Sequence, residues 1–143
     1  MSERELLLLH AASTWFLTGL IWIVQLVHYP LFAYVERSRF AAFEAEHGRR
    51  ISWIVMPTMV LELATAAWLV VAPSAALPPA WTWTGLALLA VIWGSTALLS
   101  VPCHRVLERG FDERAHRRLV ATNWVRTLAW TARALLVAAM LAR

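Results

Sequence analysis

The sequence has no lysine, a single cysteine and little charge of any kind, with only 15% of its 143 residues charged. The lone Cys103 excludes an internal disulfide and says nothing about redox compartment. There is no glycine-rich phosphate loop, no serine nucleophile elbow and no paired cysteine motif, so hydrolase and nucleotide-dependent chemistry have no support. What the chain has in abundance is apolar surface: 60% of its residues are hydrophobic and the mean hydropathy is +0.59. A soluble domain of this length cannot bury that much, which excludes a water-soluble fold. The formal charge of +4 comes from thirteen arginines set against nine acids. In a membrane chain such a balance describes loops and orientation, and no nucleic-acid partner is expected.

Four apolar runs, about 6–35, 51–72, 80–101 and 119–142, are each near or above the spanning length of about 20 residues. The expected fold is therefore an all-α membrane protein, a single domain over 1–143 built as a four-transmembrane-helix bundle. The start, Met1-Ser-Glu-Arg-Glu5, has a weakly basic n-region and no convincing cleavage site, so the first run reads as a retained helix and not a signal peptide. Nine arginines fall in the two connections 36–50 and 104–118, and the middle connection, Pro73 to Pro79, has no charge. The positive-inside rule places those two basic loops in the cytoplasm and both termini outside, in what we expect to be a bacterial inner membrane. Trp81 and Trp83 open the third span as interfacial anchors.

The two halves run in step. The segment from Pro30 to Glu36-Arg37 aligns with that from Pro102 to Glu108-Arg109, and Phe43 to His47-Gly-Arg-Arg echoes Phe111 to His116-Arg-Arg. Two duplicated helical hairpins in one orientation would give this pattern; so would prolines and arginines that merely punctuate helix ends. In this alignment His28 has Ser100 as its counterpart, and His104 has Phe32.

Each span carries a polar stripe. His10, Thr14, Thr18, Gln25 and His28 fall on one face of the first; Thr58, Glu62 and Thr65 of the second; Thr96, Ser100 and His104 of the third; Asn123, Arg126, Trp130 and Arg133 of the fourth. Lipid satisfies none of these groups, so the four faces turn inward and the bundle has a polar core. Counting rise from the cytoplasmic ends of the runs puts Glu62 and Arg126 at roughly 12 to 18 Å depth, and a Glu62–Arg126 pair is expected. That pair reads either as a register-fixing ion pair or as a substrate or proton site. Arg133 adds a second guanidinium that one carboxylate cannot neutralise, and an oxyanion of a substrate would supply the missing charge.

The histidines suggest a metal as the competing chemistry. His28 and His104 each lie two residues from an aligned proline and are the candidate pair for a shared haem or transition metal. Glu44 with His47, and Glu113 with His116, have the Glu-x-x-His spacing of carboxylate-bridged di-iron bundles; the alternative is solvated acids and imidazoles at helix N-termini. His10, near the outer end, reads as an interface histidine.

The strings Val101-Pro-Cys-His104-Arg-Val-Leu107 and Leu119-Val-Ala-Thr-Asn123-Trp-Val-Arg126-Thr127 resemble the second half of the anthrone-oxygenase-like four-helix membrane family. The match covers about forty residues well, and the first half matches more loosely through Gly19 and Pro30. His104 stands where that family more often has Asn. The resemblance implies a small integral membrane protein in a group whose named members oxygenate polycyclic phenols, with Asn123 and Arg126 as the matching polar signature.

The functional expectation is thus a membrane oxidoreductase or oxygenase acting on a lipophilic aromatic or quinone-like molecule. Asn123, Arg126, Arg133 and Gln25 would bind substrate oxygen, and Glu62 and His28 would handle protons. The alternative is a non-enzymatic accessory subunit of a larger membrane complex, or a small transporter. Homo-oligomers are compatible with either.

Overall fold

A computed structural model describes residues 2–73 and 75–143 of the chain; Met1 and Ser74 lie outside the described residues, so the uncharged middle connection is described on either side of Ser74. Four helices make up the fold: α1 (Glu3–Tyr34), α2 (Phe40–Val71), α3 (Pro79–Leu107) and α4 (Glu113–Leu141). Each is long and apolar enough to cross a membrane, and the chain is an all-α integral membrane protein. The helices alternate in direction, so both termini and the α2–α3 connection share one end, here the terminal end. The two arginine-rich connections mark the other, the basic end. A small core of Leu6, Leu7, Leu69, Leu77 and Met140 closes the terminal end, and a larger one around Phe32, Phe40, Leu107 and Leu119 closes the basic end.

Local chemistry explains the helix limits. Ser2 and Glu5 form a capping box at the start of α1. Pro78 and Pro79 open α3, and Asp112 caps α4 by accepting from the Ala115 N–H at 2.7 Å. Gly110, at φ 135°, makes the turn between α3 and α4 that a side chain would resist.

The helices extend past the apolar runs, and the largest departure from expectation is α2, which begins at Phe40 and not near 51. Phe40, Glu44, His47 and Ile51 recur on one helical face and turn inward, while Glu46 on the other face holds Arg49 at 2.7 Å and Arg50 at 2.5 Å. An amphipathic extension of this kind has no hydropathy signal, and most of the expected basic loop is therefore helix. Likewise α4 begins at Glu113 and not near 119.

Both odd-numbered helices widen before their internal proline. Val24–His28 of α1 and Thr96–Ser100 of α3 are π-helical, with the Tyr29 and Val101 N–H groups reaching back to the Val24 and Thr96 carbonyls. A proline ring clashes with the carbonyl four residues back, and the wider turn relieves that clash without ending the helix. The two segments are 72 residues apart, the same shift that aligns Pro30 with Pro102.

Candidate functional site

Two buried polar networks occupy the bundle core. The first lies toward the terminal end around Glu62. Its carboxylate accepts from Arg133 Nε at 2.9 Å, from the Thr14 hydroxyl at 2.9 Å and from the Trp130 indole N–H at 3.1 Å. Arg133 also donates through Nη1 to the Gly85 carbonyl and through Nη2 to His10 Nε2 at 3.4 Å. His10 Nδ1 is 2.8 Å from the Thr65 hydroxyl, which itself donates to backbone carbonyls one turn back. Every charged group here has a partner, and the void beside it measures about 10 Å³.

This geometry corrects two expectations. Glu62 pairs with Arg133 and not with Arg126, because α2 starts eleven residues before the apolar run does. Measured from the true helix starts, Glu62 is 22 residues along α2, Arg133 is 20 along α4 and Arg126 only 13, or about 33, 30 and 20 Å of rise. His10, expected at the interface, is 3% exposed and belongs to the same network.

The second network begins at the basic end and reaches inward. Glu44, fully buried, binds His104 Nδ1 through Oε1; His104 Nε2 is 3.0 Å from the Tyr29 hydroxyl; Tyr29 accepts from Arg126 Nη2 at 3.2 Å. The same Nη2 donates to the Asn123 side-chain carbonyl. Asn123 in turn donates to Gln25 at 2.9 Å, and Gln25 to the Val120 carbonyl at 3.2 Å. Here the accounting does not close. Glu44 Oε2 and Arg126 Nε are buried without a hydrogen-bond partner, and among the described residues no carboxylate pairs with Arg126.

The open network borders a cavity of about 400 Å³. It lies between α2 and the lower half of α3, lined by apolar side chains such as Leu17, Val55 and Met59 and by Tyr29, His47, His104, Arg126 and Trp130. Arg105 and Glu108 stand at its basic end. A few convergent polar groups on a mostly apolar wall is the usual composition of a small-molecule site. Trp130 divides the two regions: its ring faces the cavity and its N–H is held by Glu62.

Of the residues singled out from the sequence, Arg126, His104 and His47 line the cavity. Gln25 and Asn123 lie behind Arg126 and fix it. Arg133 and Glu62 are tied into the closed network. His28 faces a neighbouring groove between α1 and α2, with its Nε2 2.9 Å from His47 Nδ1. The expected His28–His104 pair is therefore not formed, since each imidazole is engaged by a different partner. The second Glu-x-x-His set is split as well: Glu113 is exposed and paired with Arg117, whereas His116 is buried with Nε2 2.8 Å from the Tyr29 carbonyl. Glu44, whose alternative was a solvated acid, is wholly buried because α2 carries it inward. Among the described residues no three His, Cys, Asp or Glu side chains are arranged to hold a metal ion.

One site residue, Tyr29, is new to the site, and Trp130 takes a role beyond its place in the polar stripe. Tyr29 follows Gln25 by one helical turn and continues the α1 polar stripe, a signal the sequence contains. Trp130 was placed on the polar face of α4, but its role as the wall between two networks has no sequence signature. No protein-family model, curated protein or solved structure matches the chain.

Proposed function

We propose that this chain is an oxidoreductase or oxygenase-like membrane protein that takes a lipophilic aromatic or quinone-like molecule into the cavity between α2 and α3. One observation carries the reading: Arg126, 7% exposed, stands on the cavity wall with Nε unpartnered and no carboxylate beside it. A buried guanidinium without a counter-charge is costly; a phenolate or enolate oxygen supplies both the charge and the acceptor, and a quinone oxygen supplies the acceptor. The rings of Tyr29 and Trp130 and the side chains of Met56 and Met59 offer the flat, polarisable walls that a fused aromatic system packs against. The resemblance of 101–107 and 119–127 to the anthrone-oxygenase-like family supports the same substrate class. A transporter is less well supported, because the closed Glu62–Arg133 network fills the route to the terminal end.

Binding of 2-naphthol to the detergent-purified protein tests the reading. Saturable binding is expected, weakened at least tenfold in Arg126→Gln. An affinity indifferent to that substitution in a folded protein would overturn it. Oxygen uptake dependent on bound naphthol supports an oxygenase; binding without uptake supports a ligand-binding accessory subunit instead.

The same proposal places the basic end in the cytoplasm of a bacterial inner membrane and treats the halves as duplicated hairpins. The common 72-residue shift of the π segments and the prolines supports the duplication. Cysteine labelling in intact cells tests the orientation. Ala75→Cys, exposed between α2 and α3, is expected to react with an impermeant maleimide, and Ser38→Cys, exposed between α1 and α2, to be protected. The reverse pattern would invert the topology.

A further inference from the structure

We infer that Tyr29, His104 and Glu44 form a proton-accepting relay and that the cavity holds its ligand as the oxyanion, with the proton of a bound phenol leaving toward the basic end. The inference rests on the reading of the cavity above and adds the residues and the direction of proton movement.

Donor accounting fixes the relay's resting state. Arg126 can only donate, so the Tyr29 oxygen accepts from it, at 3.2 Å, and its own O–H is free to point at His104 Nε2, at 3.0 Å. His104 Nδ1 then carries the ring proton and gives it to the Glu44 carboxylate. Every bond in the chain has one donor and one acceptor only in this arrangement of a neutral imidazole. Reversing it, with a proton on both His104 nitrogens, leaves Tyr29 as a double acceptor with a hydroxyl proton to offer to the cavity. Both states have a complete set of bonds, which is what a relay requires.

The step balances. A phenol O–H next to Arg126 donates to the Tyr29 oxygen; its O–H bond breaks as a new one forms on Tyr29. The original Tyr29 proton moves to His104 Nε2. The products are a phenolate beside the Arg126 guanidinium and an imidazolium beside the Glu44 carboxylate, two ion pairs in place of separated charges. Glu44 is suited to this role because Oε2 has no partner, so the carboxylate interacts with the rest of the network through Oε1 and His104 alone. It acts through His104 and is a positioning residue, like the acid that orients and supports a catalytic imidazole elsewhere. The His104 side chain keeps 21% of its surface exposed, and Arg105 and Glu108 lie beside it at the basic end of the cavity. From that position the proton has a way out that the closed Glu62 network does not offer.

The test uses 2-naphthol, whose neutral and anionic forms absorb at separate wavelengths, and 2-methoxynaphthalene, which has no proton to lose. In the wild-type protein, bound naphthol is expected to show the naphtholate band at neutral pH. In Glu44→Gln and in Tyr29→Phe the anionic fraction of bound naphthol at neutral pH is expected to fall, the transfer equilibrium moving at least about tenfold toward the neutral phenol. The affinity for 2-methoxynaphthalene is expected to stay within twofold. Naphthol bound in its neutral form by the wild-type protein, or an anionic fraction unchanged in both variants, would overturn the relay while leaving the cavity reading intact. Failure of either probe to bind the folded wild-type protein would instead overturn the cavity reading, and the relay with it. Tyr29→Phe guards against loss of folding in Glu44→Gln, since it removes one hydroxyl and leaves every buried charge in place.

Discussion

Two buried guanidinium groups lie on one face of α4, seven residues apart, in opposite circumstances. Arg133 has a carboxylate at 2.9 Å, a backbone carbonyl and an imidazole, and it borders a void of about 10 Å³. Arg126 has a phenol and an amide, an unpartnered Nε and a cavity of about 400 Å³. The same residue type on the same helical face is therefore fully paired in one place and left with an unpartnered N–H beside a cavity in the other. Burial does not separate the two roles, because both residues are buried. Satisfaction does: a polar network that closes on itself fixes the bundle, and the one that stays open beside a cavity is the one the proposed function uses.

The largest effect is expected where the network is closed. Replacing Glu62 by Gln leaves Arg133 buried without its counter-charge and should lower stability by about 3 to 5 kcal/mol. Removing both charges together, as in Glu62→Leu with Arg133→Leu, should cost clearly less than the sum of the single changes, because neither variant group is left uncompensated. Thermal unfolding of the detergent-solubilised proteins measures both. Additive costs would mean that the pair does not interact and that the contrast with Arg126 is false.

A smaller loss is expected from Thr14→Val. It removes one hydroxyl donor from the Glu62 carboxylate and leaves the Arg133 and Trp130 bonds in place. Hydrogen bonds to charged groups contribute about 1.5 to 3 kcal/mol, and the remaining donors hold the cost toward the lower figure. Unfolding temperature measured beside the Glu62 variants ranks the two, and a Thr14 effect as large as that of Glu62→Gln would show that hydroxyl geometry outweighs charge.

The sequence made the bundle readable and misplaced the pairing inside it. Four apolar runs announce four spans because the bilayer imposes one length on all of them. The polar stripes likewise announce a polar core, and Arg126, Asn123, Gln25 and His104 do meet there. What the apolar runs hide is where α2 starts. Phe40 to Arg50 is helical through an inward stripe and outward ion pairs, with no excess of apolar residues, so a hydropathy reading stops eleven residues short. That error moved Glu62 level with Arg126 and left Glu44 in a loop. One misplaced helix start thus concealed both the true ion pair and the acid of the open network. The 72-residue shift that pairs Pro30 with Pro102 was legible, and the two π-helical segments follow it.

The smallest expected change in stability is at Arg126, and its sign sharpens the contrast most. Arg126→Leu removes a buried charge that no carboxylate compensates, so the desolvation cost of the charge goes with it. Against that stands the loss of two hydrogen bonds made by the charged group, to Tyr29 and Asn123, each contributing about 1.5 to 3 kcal/mol. Tyr29 keeps its bond to His104 and the Asn123 amide keeps its donation to Gln25, while the buried Asn123 Oδ1 loses its donor. The two contributions oppose one another, and unfolding of the ligand-free variant should fall within about 1 kcal/mol of the wild type, on either side of it. Arg133→Leu, seven residues away, strands a buried Glu62 carboxylate and should cost several times as much. Adding 2-naphthol then separates them in the other direction: it should raise the unfolding temperature of the wild-type protein and have little effect on Arg126→Leu. If Arg126→Leu proved as damaging as Arg133→Leu without any ligand, Arg126 would be a fastener as well, and the open network would be part of the frame.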